Sequence, residues 1–306
     1  MTGAGQAIPR RSAYITKRHG AWNLTSIGLL QLAIVAWFAL AADRLPPPVY
    51  IVLSVLFCAI QQRQNSEWLH EGLHFNIHPT RQINEAITTL LAALFGTPVG
   101  PMRRAHYHHH AVTTFFTADD RDTAYATLDS RRSLAPALLS DLLGITALRG
   151  YAGAILSRVP VAWGVPRQTD VVSAVFATYR YVAVVQVGLL GFCLLTDRLD
   201  AYVLYYAAML SVYPLLSRIR LYGQHLEILP DGSSRIAGST ISRTIQGTVI
   251  DRLLISSRVM QYHYEHHLYP ALPFRALEEM ARGSDSEINR YTTSHWPVLV
   301  ALLKRK

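Results

Sequence analysis

Cysteine is nearly absent from this sequence. Its two copies, Cys58 and Cys193, both stand in apolar stretches. Neither has a neighbouring Cys, so a disulfide framework or a cysteine metal pair is not expected. They read as small apolar side chains. Charge is scarce too: Asp, Glu, Lys and Arg make up 16% of 306 residues, against roughly 25% in an ordinary soluble domain. Hydrophobic residues supply 50%, and the mean hydropathy is +0.17. This deficit implies that much of the surface faces lipid. Acids are the scarcer sign, 20 against 29 Lys and Arg, for a net charge of +9. The bases are scattered and mostly lie beside apolar runs, which suits the cytoplasmic Lys/Arg excess of a membrane protein. They form no basic patch, so nucleic acid binding is not expected. No apolar run precedes residue 24, so no cleavable signal peptide is expected. Repeats and low-complexity stretches are lacking.

What is there, first, is a set of apolar runs. Residues 24–42 are 19 residues without a charge, close to the ~20 that cross a bilayer as a helix. A break, "DRLPPP", follows. Residues 49–60 are apolar, and Pro46 to Pro48 suit a helix start. This helix is expected to run on past the membrane to His74, with its span over about 49–69. Residues 175–195 make a third span, with Arg180 placed to snorkel, and 201–217 return across with tyrosines at 202, 205 and 206. Residues 83–101, broken by Gly96, Pro98, Gly100 and Pro101, read as a re-entrant or interfacial segment. Residues 133–157 read as an interfacial amphipathic helix.

The pattern predicts one domain over 1–306, an all-α integral membrane protein. Four transmembrane helices form two hairpins beneath a helical cytoplasmic cap from 61–174 and 218–306. Lys and Arg counts near the span ends put both termini and the long 61–174 segment in the cytoplasm, at the inner membrane if the chain is bacterial.

Second, histidines cluster. "HEGLH" holds His70 and His74, "HYHHH" holds His106, His109 and His110, and "HYEHHLYP" holds His263, His266 and His267. Helical residues at i, i+3 and i+4 share a face, so each cluster is expected to aim at a common point. Neutral imidazole is the commonest nitrogen ligand of transition metals. His225, just after the last apolar run, is a ninth candidate by position, although a lone histidine is more often packed or exposed. Eight or nine ligands exceed one ion and suit two with four or five each. Imidazole accepts Zn, Cu, Fe and Ni, so the count does not choose the metal. His19 and His295 stand alone and read as surface residues. His108 falls off the shared face, and His78 is a candidate neighbour of the ligands.

These residues resemble the membrane fatty-acid desaturase family, which includes hydroxylases and carotenoid-modifying oxygenases. The resemblance runs from about residue 20 to 280. It lies in the three histidine boxes, in "HEGLHFNIHPTRQIN", in "TADDRD" (with Arg121 at the usual Pro), in "SRTI" at 242–245 and in "HHLYPALP" at 266–273. It implies a non-haem di-iron centre held by His70, His74, His106, His109, His110, His225, His263, His266 and His267. Gln224 stands where the family often has Glu before its late histidine. The implied chemistry is O₂-dependent removal of hydrogen from an unactivated C–H bond. Carboxylates near the ligands can orient ring N–H groups, and Glu71, Asp119, Asp120, Asp122 and Glu265, with Gln224, are the candidates. Arg103 and Arg104 could meet an anionic head group.

The expected reaction is desaturation of an acyl or lipid chain. No haem motif is fused, so electrons are expected from an external donor such as ferredoxin and its reductase. A hydroxylase or ketolase of the same family, acting on a lipid, carotenoid or small molecule, is the alternative. A membrane zinc protease through H-E-x-x-H at 70–74 is more remote, because it leaves the other histidine clusters unused. A non-enzymatic metal carrier would need polar residues within the spans, and these show almost none.

Overall fold

The computed structural model describes residues 8–117, 119–120, 134–156, 171–281 and 290–303. It is mostly helical. After a short helix α1 (Arg11–Tyr14), Thr16 caps α2 (Lys17–Ala41) by accepting the His19 amide at 3.3 Å. Prolines at its first positions start α3 (Pro47–Leu73). At 27 residues this helix is about 40 Å long. Its first half turns Val49, Ile51, Val52 and Leu56 outward, while its second half buries Gln61, Gln62, Arg63, Asn65 and Glu67.

Among the described residues, three helical stretches are long and apolar enough to cross a membrane: Lys17–Ala41, Val175–Leu195 and Leu199–His225. The helix from Pro47 is not among them, because its apolar run ends midway. The second stretch belongs to α8 (Val171–Leu195). The third is two helices, α9 (Leu199–Leu210) and α10 (Val212–His225), which break at Ser211. Pro214 lies just beyond the break and has no amide to donate.

Between these lie α4 (Arg81–Leu94), α5 (Val99–Ala111), α6 (Leu134–Leu142) and α7 (Ile145–Leu156). The segment expected to be re-entrant or interfacial begins with α4, an amphipathic helix packed on α3 and α8 with Leu91, Ala92 and Ala93 buried. It ends at Gly96, whose φ of +65° suits the left-handed cap that glycine adopts without strain. The expected amphipathic helix over 133–157 is two helices that turn at Gly144, and its start and end lie outside the described residues. Asp141 there is fully buried and paired with Arg218 at 2.5 and 2.8 Å. A charge so paired belongs to the interior, not to an interface.

Among the described residues, the cap holds two short sheets. β1 (Glu227–Ile228) and β2 (Ser234–Arg235) pair antiparallel, and β3 (Thr244–Ile245) and β4 (Tyr291–Thr292) pair parallel. Around them sit α11 (Val249–Leu254), a 3₁₀ turn at Arg258–Met260, α12 (His263–Leu268), α13 (Phe274–Ala281) and α14 (Trp296–Leu303). One apolar core ties α3 to the cap, with Trp68, Leu69 and Leu73 against Ile77, Phe95, Met209 and Phe274.

Candidate metal centre

All nine predicted histidines converge at the top of α3, in two groups. His70, His74, His106, His110 and His266 form one. His109, His225, His263 and His267 form the other. Within each, the nearest ring nitrogens lie within 4.8 Å of one another. The first group closes through Nε2–Nε2 separations of 2.8 Å (His74–His106), 3.1 Å (His106–His110) and 3.0 Å (His110–His266). The second does so at 2.9 Å (His225–His263) and 3.1 Å (His263–His267).

The expectation of one target per cluster is corrected here. Each i, i+3, i+4 triplet straddles both groups. His106 and His110 serve one while His109 serves the other, and His263 and His267 serve one while His266 serves the other. At 3.6 residues per turn, i+4 falls about 40° past i and i+3 about 60° short of it. Two adjacent targets therefore suit the triplet better than one.

Several local devices aim the rings. Asp120 accepts from His109 Nδ1 at 2.9 Å and also takes the Phe116 amide. The Ile241 carbonyl accepts from His225 Nδ1 at 3.0 Å. A neutral imidazole has one N–H, so both rings turn a bare Nε2 lone pair inward. Arg243 is fully buried and donates to the Gly223 and Leu226 carbonyls, capping the end of α10 where His225 stands. Arg103 donates to the Leu73 carbonyl, pairs with Glu85 at 2.9 Å and lies over the Phe75 ring, bracing the end of α3 at His74. It is a structural cation, not a free head-group partner. Arg104 is exposed and lines a different pocket, beside Thr178 and Tyr181.

The residues fit metal. Both ring nitrogens of His70 are buried without a hydrogen-bond partner, as is Nδ1 of His263. Leaving buried polar atoms unpaired costs about 1–3 kcal/mol each, and facing lone pairs repel. A cation between them removes both costs. Burial also holds the rings of His74, His263, His266 and His267 well below the ordinary histidine value, so they are neutral at pH 7, the form that ligates.

The fatty acid desaturase family model matches residues 45–298. The chain belongs to the fatty acid desaturase family. No curated protein matches it.

In this desaturase-family chain the other predicted site residues divide. Asp120 meets a ligand ring, that of His109. Asp119 is exposed, and Asp122 lies outside the described residues. Glu265 accepts from the Thr244 hydroxyl, a partner that the sequence reading missed although "SRTI" marks the place. Glu71 takes the Phe274 amide at 3.3 Å and so ties α3 to α13. Gln224 donates to the Met260 carbonyl and accepts from Arg220. Neither Glu71 nor Gln224 has a hydrogen bond to a ligand ring.

His295 is not a surface residue: it is 1% exposed and donates to Asp251 at 2.8 Å. It fits because Gly223 leaves room, since a Cβ there would come within 2.5 Å of the ring. His78 packs on Gly20 and accepts the Thr80 amide at 3.0 Å, outside both groups. The five-histidine group is reached by openings lined by described residues. A depression of about 650 Å³, rimmed by Arg11, Arg81 and Tyr107, reaches His74 and His110. A cavity of about 290 Å³ reaches His70 and His106.

Proposed function

We propose that this chain is a non-haem di-iron desaturase that uses O₂ to introduce a double bond into an acyl or lipid chain. The observation that carries the reading is the division of nine buried histidines into adjacent groups of five and four. One closed zinc site takes four ligands, so nine suit two ions. Imidazole accepts iron, and membership of the family favours it.

Bound iron would supply O₂ activation. The protein's part is to hold His70, His74, His106, His110 and His266 about one ion and His109, His225, His263 and His267 about the other. Asp120 fixes the His109 ring, and the Ile241 carbonyl fixes His225. Two substrate C–H bonds break and one C=C bond forms. O₂ takes two electrons from the substrate and two from an external donor such as ferredoxin and its reductase. With the two substrate hydrogens and two further protons it leaves as two waters.

The chain is proposed to sit in the bilayer as four spans in two hairpins, with the first half of α3 as the fourth span. Both termini and the metal site then face the cytoplasm, at the inner membrane if the cell is bacterial. A hydroxylase or ketolase would use the same residues with a different placement of the substrate carbon. The zinc-protease reading needs Glu71 as a free base, and its engagement by the Phe274 amide argues against that.

Lipid extracts from cells with and without the chain, grown with and without O₂, test the reading. An O₂-dependent unsaturated product that disappears with His266→Ala supports it. Unchanged product with that variant contradicts it.

A further inference from the structure

Among the described residues after His225, the large apolar side chains left exposed are Val249, Ile250, Leu253, Leu268 and Trp296. All but Leu268 gather in one place. Val249 (80% exposed), Ile250 (68%) and Leu253 (55%) stand at i, i+1 and i+4 on α11, hence on one face. Trp296 (66%) opens α14. The residue before it, His295, is bound to Asp251 of α11 through both its amide and its ring. Single exposed apolar residues need no explanation, but a gathered set marks a contact surface.

Hydrogen bonds set the depth of this face. Gln64 donates to the Arg252 and Leu253 carbonyls at 3.1 and 3.2 Å, and Arg63 donates to the Ile255 carbonyl at 2.9 Å. The C-terminal end of α11 is therefore fixed to α3 beside residues 63–64. The apolar run of α3 ends at Ile60, and four residues of helix rise about 6 Å. With residues 49–60 crossing the hydrocarbon, that end of α11 lies in the head-group layer, about 5–8 Å deep on each side of a bilayer. The side chains suit that level. Trp favours the interface, and Arg252, exposed between Ile250 and Leu253, adds a cation whose guanidinium donates to the Gln246 and Gly247 carbonyls.

We infer that α11 and Trp296 are seated in the bilayer surface, with Val249, Ile250 and Leu253 in lipid at the boundary of head groups and acyl chains. The cap is then not wholly aqueous: lipid is the partner of this face. A second copy of the chain fits it less well, because a stable protein interface engages roughly 20–30 residues a side, far more than these four. Residues 255–262 alone separate α11 from His263, and Glu67, three residues before His70, takes the Ser257 amide at 2.9 Å. The lipid contact therefore steadies the third histidine box against the first. This inference rests on the first half of α3 being a span.

Fluorescence quenching on the full chain in nanodiscs tests it. In a Cys58→Ala, Cys193→Ala background, a bimane label is attached at Ile250→Cys, at Leu56→Cys on the outward side of α3, and at Asp231→Cys in the exposed turn between β1 and β2. Phosphatidylcholine with a doxyl group near the top of its acyl chain is the lipid quencher, and iodide is the aqueous one. The label at 250 is expected to be quenched by doxyl lipid at least about twofold more than the label at 231, and by iodide at least about twofold less. Val249→Cys, on the same face, replaces Ile250→Cys if that variant does not fold. Lipid quenching at 250 no stronger than at 231 would overturn the inference, and so would protection from both quenchers, the mark of a protein partner. The label at 56 separates the two readings. If it is quenched by lipid while 250 is not, the span stands and the seating of α11 fails. If it is not quenched, the span itself fails and the inference with it.

Discussion

The ring centroids of His110 and His267 lie 4.6 Å apart, yet the two side chains belong to different histidine groups. The groups therefore adjoin, and ions held in them would be neighbours. His110 comes from the second box and His267 from the third, so the boundary between the groups is built by residues over 150 apart in sequence.

Separate groups predict separate losses. His266→Ala removes a ligand from the five-histidine group, and His263→Ala removes one from the other. Each variant should lose about half of the bound metal, and the double variant nearly all of it. Elemental analysis of purified protein measures this. Complete loss in either single variant would indicate one shared ion.

Asp120 acts through His109. Partners of ligand histidines typically alter metal affinity by about 10–100-fold. Asp120→Ala should weaken the four-histidine group by that factor and leave the five-histidine group unchanged. Anaerobic iron titration against a competing chelator would resolve the two steps. Asp119→Ala, at an exposed position, is the matched control and should bind like the wild type.

Asp141 and Arg218 are both fully buried, so their pair is all-or-none. Removing one partner strands a buried charge, which costs about 3–5 kcal/mol. Asp141→Ala should lower the thermal midpoint strongly, in a scan followed by circular dichroism. A change within error of the wild type would mean that the charge finds another partner.

Gly72 lies between His70 and His74 and packs on the next helix. A Cβ there would meet Thr88 Oγ1 at 2.3 Å and Ile77 Cδ1 at 2.9 Å. Overpacking of this kind costs about 1–3 kcal/mol. Gly72→Ala should destabilise the protein and weaken metal binding by the first box. Adding Thr88→Ala should recover part of the loss, because the two residues touch and their effects couple.

Much of the site was legible because it depends on short spacing. Histidines at i, i+3 and i+4 show in a plain sequence, and the apolar runs located α2, α8 and α9. What stayed hidden depends on packing between distant segments. The assignment of His106 and His109 to different groups needs the position of the third box. His295 looked like a solitary surface histidine, because its partner Asp251 is 44 residues away and the space for it comes from Gly223. Asp141 looked interfacial because Arg218, which neutralises it, is 77 residues on. Glu71 looked like a neighbour of the ligands, and only the fold reveals that it takes an amide of α13. The break at Ser211 divides an otherwise continuous apolar run, and only Pro214 hinted at it.

The central claim is a pair of irons on nine histidines. Metal analysis of the purified full-length protein, prepared without added metal and with the histidines intact, tests it most directly. The account predicts two irons per chain. One zinc per chain with no iron would contradict it.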